Sequence, residues 1–215
     1  KHLHSTWSDG EGSVQQLIDR AKQCNISSIA VTDHLRKTST YFFDSKAEVE
    51  RLQKMTDIQV LSGFEAKVDD FNGNIDVADD VLAAADIKIV SVHRFPIGRN
   101  LYAANFFDAK IAQEIELELC IAAVNRGGFN VLGHPGGMSL TAHKDFSEKY
   151  FEEIVKACLE NNIAFDFNGR YHWNIAEMLI SLFEKYNPLI SIGSDSHKLD
   201  AMGAWNKFLA KRLCK

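Results

Sequence analysis

Its four cysteines include no C-x-x-C pair, and none of their spacings reads as a disulfide framework. Cys24, Cys120 and Cys158 fall within or at the ends of helical stretches, where they read as small hydrophobes. A reducing, cytoplasmic setting fits that usage. Positive charge is not in excess: the formal net charge is -5. This disfavours a protein built to grip long nucleic acid, which usually presents a basic face. It leaves room for a small phosphorylated ligand held by a few local cations. No apolar run approaches the roughly 20 residues of a membrane span, and no segment reads as a signal peptide. Long linkers, low-complexity tracts and internal repeats are also missing.

The composition is that of a chain able to bury a core: 215 residues, 46% hydrophobic and 25% charged. A single domain over residues 1–215 is expected. Short runs rich in Val and Ile, at about 1–4, 28–32, 58–62, 87–92, 129–132, 163–167 and 189–193, read as buried parallel strands. Helical stretches near 13–24, 46–55, 78–84, 107–126, 147–160, 174–186 and 198–212 alternate with them. Ser13 and Asp145 are placed as N-cap or near-cap residues. In the stretch at 107–126, Ile111, Ile115, Leu119 and Ala122 form an apolar stripe. Asn72-Gly73 marks a tight turn within a hairpin over 64–77. Seven strand–helix units make an α/β fold with a parallel sheet, either open or closed into a barrel.

The polar residues are informative through their positions. His2 and His4 flank Leu3, so on a strand they share one face. Asp9 follows in the next loop. The later strands end at or run into Asp33-His34, Glu65, His93, His134, Asp166 with Asn168, and Asp195 with His197. In a parallel sheet or barrel all strand C-termini open on one rim, where active sites collect. Six of the eight histidines lie there, with several carboxylates. Packed together without cations, these groups would suffer desolvation and mutual repulsion. Imidazole and carboxylate without thiolate suit zinc, manganese or iron. The donors are too numerous for one ion, so two to three divalent transition-metal ions are expected. Glu65, with two oxygens, is the natural bridge between paired ions.

In order, H-x-H, S-D-G, T-D-H, G-x-E, S-V-H, G-H-P and G-S-D-x-H resemble the PHP family, the polymerase and histidinol phosphatase domains. The resemblance runs from His2 to His197. It implies a distorted TIM-like barrel of seven β/α units with a trinuclear metal site at the C-terminal ends of the strands. One ion would be held by His2, His4, Glu65 and Asp195, a second by Glu65, His93 and His134, and a third by Asp9, His34 and His197. Some relatives carry histidine in place of Asp9, and many read E-x-N where this chain has D-F-N at 166–168. Asp33, Asp166 and Asn168 are expected to orient ligands rather than bind metal.

The implied chemistry is hydrolysis of a phosphate ester by a metal-bridging hydroxide, with Glu65, Asp195 and His197 as catalytic residues. Arg94 and Arg170 are the expected substrate-phosphate contacts. Arg36 and Lys198 are weaker candidates, more simply read as solvated charges. His143 and His172 read as surface or packing residues, or as substrate contacts. Trp7, Phe95, Tyr171 and Trp173 are candidates for an apolar wall around a leaving group or for the core. Gly136-Gly137 either admits a phosphate or satisfies a turn. The expected substrate is a small phosphomonoester, histidinol-phosphate-like or a nucleotide. A nuclease acting on short oligonucleotide ends, a metal-dependent C–N hydrolase, and a non-catalytic module stabilised by metal are the competing readings.

Overall fold

The structure is a computed structural model and describes residues 2–213. Lys1, part of the first strand candidate, and Cys214 lie outside the described residues. In chain order the elements are α1 (Val14–Gln23), β1 (Ser28–Val31), β2 (His34–Leu35), α2 (Phe42–Gln53), β3 (Gln59–Lys67), α3 (Asp79–Ala84), β4 (Ile87–Ser91), β5 (Phe95–Ile97), β6 (Asn100–Tyr102), α4 (Ala109–Arg126), β7 (Val131–Gly133), α5 (Gly137–His143), α6 (Glu148–Glu160), β8 (Ala164–Asn168), α7 (Ala176–Tyr186), β9 (Ile190–Gly193) and α8 (Ala204–Leu213).

Six strands form one curled parallel sheet in the order β1-β3-β4-β7-β8-β9, and β2 adds beside β3. The first expected strand is reduced to a single residue. Leu3 bridges Val31 on one side and Ser196 on the other, both in parallel sense. Thr32 donates its backbone N–H to the Leu3 carbonyl (2.8 Å), and His4 donates to the Ser196 carbonyl (3.1 Å). These contacts link the C-terminal ends of the two edge strands, and the curled sheet forms the half-barrel of a distorted TIM-like fold. Leu3 packs among Val14, Leu17, Ile29 and Val31. The alternation of an extended segment then turns His2 and His4 the other way.

Helix α1 begins with a capping box: Ser13 Oγ accepts from Gln16 N–H, and the Gln16 side chain accepts from Ser13 N–H. Asp145 is no cap. It accepts from Gln113 Nε2 (3.0 Å), while the residue before α6 is Ser147. The stripe of α4 also differs from expectation. Ile111 is exposed, and the buried face carries Ala112, Gln113, Glu116, Leu119, Cys120 and Ala123. Two polar residues occupy that face because they bond loops beneath it. Gln113 accepts from Ser147 N–H, and Glu116 accepts from Met138 and Ser139 N–H at the start of α5. The β5–β6 hairpin and α5 are elements that apolar patterning did not reveal. The hairpin expected over 64–77 is present as a Val68–Ile75 bridge, with Gly73 at φ 74°.

Candidate metal centre

The C-terminal rim gathers the polar residues. Register places His34 of β2 beside Glu65 of β3, and Glu65 beside Ile89 of β4. Glu65 is the hub. Its Oε2 lies 3.0 Å from His34 Nδ1, 3.3 Å from His2 Nε2 and 3.5 Å from His4 Nε2. Its Oε1 lies 2.9 Å from His134 Nε2 and 3.3 Å from His93 Nε2, and accepts from Ser91 Oγ at 2.5 Å. Asp195 Oδ1 approaches His4 Nε2 at 3.0 Å and His2 Nε2 at 3.8 Å. Asp9 Oδ2 lies 3.4 Å from His197 Nε2 and 3.7 Å from His34 Nε2.

Three groups here could hold metal ions: His2, His4, Glu65 and Asp195; His4, Asp9, His34 and His197; and His34, Glu65 and His93. The first is the expected set. The second is the expected third set with His4 added. The last has His34 where His134 was expected, because the His34 ring spans Glu65 and Asp9 with its two nitrogens. His134 approaches Glu65 Oε1, the oxygen that His93 also approaches.

Several buried atoms here make no well-aligned hydrogen bond among the described residues, even where an oppositely charged group lies 3.0 Å away: His2 Nε2, both His4 nitrogens, Glu65 Oε2, His134 Nδ1 and Asp195 Oδ1. Buried polar atoms are normally satisfied, and each orphan costs about 1–3 kcal/mol. Protons alone do not satisfy the set. Burial opposes charge on His2, yet Glu65, Asp195 and Asp166 hold its pKa well above the usual value. Burial, with neighbouring imidazoles, pushes His4 and His93 down. Burial would raise Glu65 and Asp195, but the surrounding histidines hold both carboxyls low. Divalent cations match this donor set in type and number.

The supporting residues hold the ligand candidates from behind. Asp166 Oδ2 accepts from His2 Nδ1 (3.0 Å), Asn168 Nδ2 (2.8 Å) and His134 N–H (3.3 Å). Asn168 Oδ1 accepts from Arg170 N–H. Asp33 accepts from Ser5 N–H, Ser5 Oγ and Ser8 Oγ, and so fixes the loop between His4 and Asp9. His134 (φ 30°) and Asp195 (φ 47°) occupy the left-handed region, which is costly for side-chain-bearing residues and is often found at functional sites.

A cavity of about 520 Å³ opens over the cluster, and Arg36, Lys67, Arg94 and Arg170 line it. Lys67 is neutralised by Asp69 and Asp76. Arg36 and Arg94 are exposed and have no acidic partner among the described residues. Arg170 Nη1 lies 3.2 Å from His197 Nδ1 and 3.5 Å from Asp195 Oδ2. Lys198 pairs with Glu11 instead. Tyr171 packs against His134 with the rings tilted and their centroids 4.6 Å apart, and burial pushes its phenol pKa up. Phe95 is core, Trp7 binds Glu48 through its indole N–H, and His143 reaches only the Ala104 carbonyl.

His172 has a role that its sequence position did not show. It is fully buried. Its Nδ1 accepts from Asn168 N–H (3.1 Å), and its Nε2–H donates to the Pro135 carbonyl (2.9 Å). One ring thus ties the loop after β7, bearing His134, to the end of β8. Burial lowers its pKa to about 4, so it works as a neutral imidazole. The signal was faint: one histidine four residues beyond Asn168.

Known proteins resemble this chain in sequence and in fold. A "Probable phosphatase" of Caldicellulosiruptor saccharolyticus is 27% identical over 201 residues, covering 91% of this chain and 78% of that protein. The "DNA polymerase/3'-5' exonuclease PolX" of Bacillus subtilis is 24% identical over 176 residues, which cover 78% of this chain and 28% of that one. In structure, the histidinol phosphate phosphatase of Lactococcus lactis, complexed with zinc, L-histidinol and phosphate, superposes with a TM-score of 0.74. Its identity is 21%, with 99% of this chain and 90% of that one covered. A family model for the PHP domain matches residues 1–170, and the chain belongs to that family.

Proposed function

We propose that this PHP-domain phosphoesterase hydrolyses a small phosphomonoester over the Glu65 cluster. The observation that carries the reading is one buried carboxylate approached by five imidazoles, three at one oxygen and two at the other. Such a carboxylate is placed to be shared between ions. His2, His4 and Asp195 would complete one site with Glu65. His93 and His134 would complete a second, and Asp9, His34 and His197 a third. Zinc, manganese or iron suits these donors. When bound, such ions supply Lewis acidity and lower the pKa of water to about 7.

The chain's own side chains do the rest. Arg170, beside Asp195 and His197, is placed to hold phosphoryl oxygens, and Arg94 and Arg36 face the same cavity. Tyr171 keeps its proton and shields one side of His134. Asp166 fixes the ring of His2 so that Nε2 faces the cluster. The names of the phosphatase relatives, and the phosphate and L-histidinol held by the Lactococcus neighbour, support a monoester substrate. The match to an exonuclease-bearing polymerase keeps a nuclease as the second reading.

The test is phosphate release from p-nitrophenyl phosphate with manganese or zinc. Release abolished by a chelator and restored by metal supports the proposal. Cleavage of bis-p-nitrophenyl phosphate or of a labelled oligonucleotide, with no monoester hydrolysis, would favour the nuclease.

A further inference from the structure

A second cavity, of about 490 Å³, adjoins the metal centre and shares Arg170, Asp195 and His197 with the first. Its chemistry is different. The first cavity carries the unpaired guanidiniums of Arg36 and Arg94. In the second, Trp173, Trp205, Ala201, Ala204 and Gly169 supply the walls. Its lysine, Lys198, is engaged by Glu11 at 3.5 Å.

The aromatic wall is fixed at its base. Trp205 is buried and donates its indole N–H to the Phe167 carbonyl at 2.8 Å. Trp173 leans on it, with centroids 5.4 Å apart, and on Phe208 at 4.4 Å. Trp173 is nonetheless 43% exposed. A large indole held by its neighbours and left open beside a reactive centre is a ready stacking surface. Gly169 keeps the floor low, since a Cβ there would run into Trp205.

We propose that this second cavity is the leaving-group subsite, and that it takes a planar ring, an aryl group or a nucleoside base, stacked on Trp173. The inference rests on the phosphomonoesterase reading and deepens it by naming the substrate class. The phosphate lies at the shared residues Arg170, Asp195 and His197. The alcohol it leaves behind lies on the aromatic side, away from Arg36 and Arg94. Stacking gives no hydrogen-bond readout of the ring, so aryl and nucleoside esters both fit, whereas short aliphatic esters leave the indole uncovered.

The experiment compares kcat/KM for 1-naphthyl phosphate with that for glycerol phosphate, in the metal-loaded protein. The expected ratio favours the naphthyl ester. Trp173→Ala lowers that ratio about tenfold, the scale of one lost stacking contact, through KM rather than kcat, and Trp173→Phe restores most of it. Ala201→Trp, which fills the cavity from the α8 side, lowers the ratio as well and guards against a misfolded Trp173 variant. A ratio that stays within twofold of the parent in both variants overturns the subsite. Loss of both substrates in equal proportion overturns it too. If the parent releases phosphate from neither ester, the phosphomonoesterase reading itself fails, and the subsite with it.

Discussion

Glu65 has two oxygens, and five imidazoles crowd them. Removing one donor from such a set leaves others buried and unpaired, so the loss exceeds a single contact. We expect His134→Ala or Asp195→Ala to lower kcat by at least about a hundredfold, the scale of a lost major transition-state stabiliser. A metal-replete variant with full turnover would contradict the assignment. His172 acts at one remove. His172→Gln should raise KM and weaken metal retention, because the His134 and Asn168 loops lose their tie. Its stability effect has a definite pH sign. Burial lowers the folded pKa to about 4, below the unfolded value of about 6.5. The wild type is therefore penalised as pH falls from about 6.5 towards 4, since only the unfolded chain takes up the proton. The stability gap between wild type and His172→Gln should narrow by about 2 kcal/mol between pH 7.5 and pH 5. Urea denaturation at the two pH values checks this, and a gap independent of pH would refute it.

The parallel strands were legible because buried β-branched runs punctuate the chain, and their C-terminal residues point to one rim. Six of the seven expected strands appear, most within a few residues of the expected bounds. The first is a bridge at Leu3, since two histidines flanking one leucine leave a single apolar side chain to pack. The β5–β6 hairpin and α5 escaped notice because three- and seven-residue elements are too short to show a period. The α4 stripe misled because Gln113 and Glu116 are buried by their loop bonds rather than by hydrophobicity. Close approach between strands and ligands gives a test at this scale. A Cβ on Gly193 of β9 would collide with the Asp166 carboxylate and press on His2. Gly193→Ala should cost about 1–3 kcal/mol and reduce turnover more than a surface change such as Lys110→Ala, whose side chain is 81% exposed. Thermal melts and initial rates on both variants decide it.

For the whole molecule, a net charge of -5 coexists with a cavity whose rim carries unpaired arginines. Bulk charge therefore says little about the site, and the local cations decide what enters. No helix among the described residues is long and apolar enough to cross a membrane. The free cysteines Cys120 and Cys158 are buried, and burial pushes both thiols up. The gathering of the candidate metal-holding residues was readable from strand ends and the ordered motifs. Of the second cavity's aromatic wall only Trp173 was, because Trp205 joins it through the packing of α8 beside β8. Ligands that bind only the folded state stabilise it, so a chelator should lower the melting temperature by several degrees, with recovery on adding manganese or zinc. Elemental analysis of the purified protein tests the central claim most directly. The account predicts two to three equivalents of zinc, manganese or iron per chain, falling in Asp195→Ala; a wild-type protein with no transition metal, still active after exhaustive chelation, would contradict it.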